Sequence, residues 1–146
     1  MARDEDRVVL ELSPAQADVV DRALDLYSRM VMGQVGEVVN LAREGLLPKR
    51  VPDGHARATP DLDDIDRIED AMKGVRAVIG DWHGIGHRHV DVSGKRAYEV
   101  GKALAKVLAE RRNPDPEMRG VAYDGVTVRY TADPEPLASV MPGDGA

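Results

Sequence analysis

A chain of 146 residues with a formal net charge of −6 is long enough for one domain with its own hydrophobic core, and its acidic balance opposes broad binding to nucleic acid. The absence of cysteine excludes disulfides and thiolate metal sites, and the absence of phenylalanine leaves a core that must be mainly aliphatic around Trp82 and four tyrosines. No apolar run reaches signal-peptide or membrane-spanning length, so a cytoplasmic protein is expected.

Residues 1–6 are expected to be disordered and residues 7–131 to form a single α-rich domain. Val8, Leu10 and Leu12 alternate with Val9 and Glu11 as in a half-buried strand. A long helix follows. Ser13, Pro14 and Gln16 supply a capping box with proline at the first helical position, and Val19/Val20, Ala23/Leu24, Leu26/Tyr27 and Met30/Val31 recur as one apolar stripe. Val38, Val39, Leu41 and Ala42 suggest a shorter second helix closed by Gly45. Residues 48–60, with three prolines and no periodicity, read as a long loop.

Thr59–Pro60 predicts the start of a third helix, its first turn enriched in aspartate and its core stripe made by Leu62, Ile65, Ile68, Met72, Val75 and Ile79. A glycine- and histidine-rich loop occupies 80–92. The fourth helix starts from Ser93 as its cap, turns Ala97, Val100/Gly101, Leu104 and Val107/Leu108 inward, and stops at Asn113–Pro114. Asp124–Gly125 between two apolar-rich runs predicts a hairpin with a type I′ turn. The expected fold is therefore α+β and α-dominated: about four helices beside a small antiparallel sheet of two or three strands, drawn from residues 7–12 and 120–131. Residues 132–146, rich in Pro, Gly and Asp, read as a flexible tail.

Chemistry concentrates in the 80–92 loop and the start of the fourth helix. His83, His87 and His89 fall within seven residues, flanked by Asp81 and Asp91. Imidazole and carboxylate are competent zinc ligands, and three protein ligands plus water is a common catalytic arrangement. His87-x-His89-x-Asp91 resembles the opening of the H-x-H-x-D-H motif of metallo-β-lactamase-fold hydrolases, but Val92 stands where the last histidine belongs and the chain is too short and too helical for that fold. The bland alternative is a histidine-rich surface loop. The same stretch has a second reading, as an anion cradle: Arg88, Lys95 and Arg96 lie in or just after a glycine-containing loop that opens a helix. It is not a P-loop, since His89 occupies the first glycine position of that motif. Ser13 and Ser93 are spoken for as caps and no nucleophile elbow is present.

Four segments, ALDLYSRMVMGQ at 23–34, the Gly84–Ile85 loop, KRAYEVGKAL at 95–104 running on to RRNP at 111–114, and GVAYD at 120–124, together resemble a group of small proteins encoded by tailed phages and prophages. The resemblance implies a compact, α-rich accessory protein working in a host cytoplasm, and it brings no activity with it. It also draws attention to Arg29 and Gln34, which near a helix end could line a polar pocket; otherwise the matched residues are core and turn.

Three functional classes follow. The first is a non-enzymatic accessory protein, a homo-oligomer that binds a host protein or a small ligand, with modulation of host defence as one role and no cofactor expected. The second is a small metal-dependent hydrolase using zinc on the His83/His87/His89 loop with Asp91. The third is sequestration of an anionic nucleotide by Arg88, Lys95 and Arg96. None involves a membrane, and nucleic acid is not an expected partner.

Overall fold

The structure, a computed structural model, describes residues 7–51, 57–125 and 136–144. Over these residues the chain forms α1 (Pro14–Val31), α2 (Glu37–Arg43), α3 (Leu62–Ile79) and α4 (Val92–Arg112), then a single 3-10 turn at Val121–Tyr123.

The four helices arrange as two antiparallel pairs. In the first, α1 lies along α4. Ala17 is buried with Leu104 and Leu108 at one end, backed by Leu12, Val20 and Leu24. At the other end the Tyr27 hydroxyl donates to Ser93 Oγ at 3.0 Å. The sequence of α4 explains how closely the helices meet. Gly94 and Gly101 stand on its contact face, and a Cβ built on Gly94 would lie 2.6 Å from a Val31 methyl. The backbone of α4 therefore occupies space that any side chain would deny it. An Asp18–Arg112 ion pair closes the far end.

In the second pair, α2 packs on the first half of α3 through Val39, Ala42 and Ile65, with Leu47, Ile68 and Met72 around them. Lys49 ties the entrance of α3 by reaching Asp61 at 3.3 Å and Asp64 at 2.7 Å. That contact raises the Lys49 ammonium above its ordinary pKa and holds the Asp64 carboxyl below its own. The pairs are joined where α1 turns into α2. There Gly33 adopts φ +92, and a Cβ in its place would sit 3.3 Å from the Trp82 Cα, so this turn admits the Trp82 backbone because it has no side chain.

Several expectations are corrected. The fold is helical rather than α+β: among the described residues there is no strand and no sheet, only an isolated antiparallel bridge between Lys49 and Ala58. Residues 7–12 form no strand, and Val8, Val9 and Leu10 are exposed: among the described residues no segment pairs with them. The type I′ turn does not form: it needs positive φ at both central residues, and Asp124 has φ −74 at the end of the 3-10 turn. The strand expected after it, 126–131, lies outside the described residues, as do 1–6, 52–56, 132–135 and 145–146.

Two caps shift. Helix α3 is capped by Asp61 with a reciprocal bond from Asp64, not by Thr59, and α4 is capped by Asp91, not Ser93. In both cases a carboxylate reaches the orphan N–H groups that a nearby hydroxyl was expected to serve. Finally, the α3 stripe is only partly buried: Leu62, Val75 and Ile79 are exposed. At about 1.5 Å per residue α2 spans roughly 10 Å and α3 roughly 27 Å, so the shorter helix cannot cover the longer one.

Candidate metal centre

The segment between α3 and α4 is held at both ends. At its start the His83 N–H donates to the Met32 carbonyl at 2.9 Å, fastening it to the end of α1. Two turns follow, with His87 N–H bonded to Gly84 O at 2.9 Å and Val90 N–H to His87 O at 3.1 Å. Val90 is buried and pins the far end. Asp91 then enters α4, accepting from Ser93 N–H at 2.9 Å and Ser93 Oγ at 2.5 Å. Tight turns between two fixed ends fold the segment back on itself, and the three imidazoles meet on one side.

Their geometry is specific. The rings of His83 and His87 stack at 4.0 Å between centroids with 9° between planes. His89 stands edge-on to both, 5.6 Å from His83 and 4.9 Å from His87. One nitrogen from each ring can be chosen so that all three lie within 4.8 Å of one another. Tetrahedral zinc at about 2.0–2.1 Å from each nitrogen would set them about 3.3 Å apart, so closure needs side-chain movements on the order of 1 Å.

The electrostatics favour the neutral, ligand-ready imidazole. The His87 pKa is lowered, first by partial desolvation among its neighbours and then by His83, His89, Arg88 and Lys95. One contact must yield on coordination. The His87 Nδ1 accepts the His89 backbone N–H at 3.1 Å, which leaves the ring proton on Nε2. A neutral imidazole has a single lone pair, so a cation either takes Nδ1 from that N–H or takes Nε2 after the proton moves across.

The other predicted residues are placed differently. Asp91 does not converge with the imidazoles: its carboxylate is spent on the first turn of α4, and those bonds, with Arg96 nearby, hold its pKa below the ordinary value. That carboxylate also fills the positive end of the α4 dipole, the position an anion in the Arg88, Lys95 and Arg96 cradle would use. Arg88 and Lys95 act instead as cations beside His87. Arg29 is engaged on its own side of the molecule, bonding Asp25 at 2.8 Å, Gln34 Oε1 at 3.2 Å and Glu37 at 3.6 Å.

Gln34 does line a cavity. An open cleft of about 510 Å³ lies between the α1–α2 turn and the end of α3, walled by Gly33, Gln34, Gly36, Arg76, Asp81 and Trp82. Sequence reasoning missed Arg76 and Trp82, and it placed Asp81 only as a carboxylate flanking the histidines. The available signal was the lone tryptophan of the chain, set one residue before the first histidine of the cluster.

Among the described residues, no helix is long and apolar enough to cross a membrane. No protein-family model, curated protein or solved structure matches this chain.

Proposed function

We propose that this chain is a non-enzymatic binding protein whose 83–89 loop takes a zinc-class divalent cation through His83, His87 and His89. The observation that carries the reading is the convergence of three imidazoles on a loop fastened at both ends. Three neutral nitrogen donors suit zinc and its neighbours among the transition metals, and they exclude none of the fourth-position ligands a partner could supply. In the phage setting implied by the resemblance, that fourth ligand belongs to a host protein or a small molecule in the host cytoplasm, with the chain acting as a homo-oligomer.

The hydrolase reading shares the same donors and asks for one group more. Zinc on three imidazoles can itself ionise a bound water, but the proton transfers of a hydrolysis are helped by a general base, and among the described residues no carboxylate joins the imidazole group. Binding without turnover needs only the residues that do converge.

Native mass spectrometry of untagged protein, mixed with Zn(II) at neutral pH, tests the proposal. One zinc per chain, lost in the His87→Ala/His89→Ala variant, is the expected result. Equal zinc retention by the variant removes the site. The affinity should also fall on acidification, because each ligand must be deprotonated: near pH 5.5, binding at least about tenfold weaker than at pH 7.5 is expected. The sign of the His87 effect on the fold agrees. A lowered folded pKa favours the neutral form, so its contribution is present above the ordinary histidine value near 6.5 and is lost as the pH falls below it.

A further inference from the structure

The cleft beside the histidine loop is a second site with chemistry of its own. Its volume, about 510 Å³, lies within the usual range for small-molecule pockets. Its wall carries three charged side chains. Glu37 is already answered by Arg29 at 3.6 Å. Among the described residues, neither Arg76 nor Asp81 forms an ion pair, although both line the cleft. One cation and one anion, neither engaged in an ion pair, thus line the same cleft.

Trp82 adds an apolar surface. It is the largest side chain of the chain, yet it remains 60% exposed while its backbone is seated on Gly33 and the following residue is bonded to Met32. A fixed backbone under an uncovered indole offers a flat face for an aromatic or aliphatic group at low ordering cost. The Gln34 oxygen is held by Arg29, which leaves its amide N–H groups as further donors on the wall.

We infer that the Arg76–Asp81–Trp82 cleft binds a small zwitterion of the α-amino-acid class with an aromatic or large apolar side chain. Arg76 takes the carboxylate, Asp81 the ammonium, and Trp82 the side chain. A simple anion meets the Asp81 carboxylate and a simple cation meets the Arg76 guanidinium, so the doubly charged, net-neutral ligand fits best. The inference does not rest on the histidine cluster holding metal.

The single tryptophan makes the test direct. Full-length protein, stripped with EDTA so that no amino acid can bind through zinc, is titrated with L-phenylalanine, 3-phenylpropionate and phenethylamine while Trp82 emission is followed. L-Phenylalanine should saturate the signal at or below about 1 mM. Each single-charge analogue should bind at least about tenfold more weakly. In Arg76→Gln the advantage of L-phenylalanine over phenethylamine should vanish, and in Asp81→Asn its advantage over 3-phenylpropionate should vanish. Both side chains are exposed, so circular dichroism should show both variants folded. Equal affinity for the three probes, no saturable change with L-phenylalanine, or unaltered discrimination in the variants would each overturn the inference.

Discussion

The two helix pairs are built from comparable sequence patterns and reach different ends. In α1–α4 the partners have similar length, and glycine on the α4 face lets the backbones approach until Val31 fills the space over Gly94. In α2–α3 the apolar contacts of the shorter partner fall on Ile65, Ile68 and Met72 of the longer one, and beyond them Val75, Val78 and Ile79 are exposed. A periodic stripe states which face is apolar. Whether that face is buried depends on the reach of what lies opposite.

Substitutions put that contrast to the test. The largest effect is expected at Leu104, buried against Ala17, where Leu104→Ala should cost about 2–5 kcal/mol in urea unfolding. Val78→Ala in α3 should stay within about 0.5 kcal/mol, because Val78 is 86% exposed. Equal losses at the two positions would erase the distinction between the pairs.

The glycines give the next test. Gly94→Ala places a Cβ within 3 Å of Val31 Cβ and Cγ1 and should destabilise by about 1–3 kcal/mol, whatever helix propensity returns. Gly74→Ala, in the uncovered half of α3, meets nothing within 4 Å and should stabilise by about 0.5–1 kcal/mol. The opposite signs are the point of the comparison, and thermal melts of the two variants would read them directly.

Smaller still are the caps. Ser13→Ala and Asp61→Ala each remove a side-chain acceptor from a helix start and should cost about 1 kcal/mol. Asp61 also contacts Lys49, so Asp61→Ala should lose slightly more than Ser13→Ala at low salt and the excess should shrink in 1 M NaCl.

The histidine cluster was legible as a composition and not as a shape. Three histidines in seven residues name the donors, but alternate or near-alternate positions converge only if the segment turns back on itself. The His87–Gly84 and Val90–His87 bonds that turn it are backbone contacts with no side-chain signature. Asp91 shows the reverse case. Its position after two histidines suggested a ligand, and the competition was won by the helix start beside it, which had orphan N–H groups closer to hand. The cleft was less visible again, since Gly36, Arg76 and Trp82 come from three separate stretches of chain.

Local chemistry was enough for the four helices, the capping box at Ser13, the inward Ala97, Leu104 and Leu108 of α4, and the donor types in the 83–89 loop, because each depends on residues within a few positions of one another. The α1 stripe was less well read, since Val19, Tyr27 and Met30 are exposed while Ala17 and Ser28 are buried. Long-range packing left residues 7–12 without a strand partner among the described residues, exposed the second half of α3, set Asp91 to capping instead of coordinating, and brought Arg76, Asp81 and Trp82 to one cavity. Those outcomes depend on which distant segment arrives opposite, and helical periodicity carries no information about the length of the neighbour that will meet it.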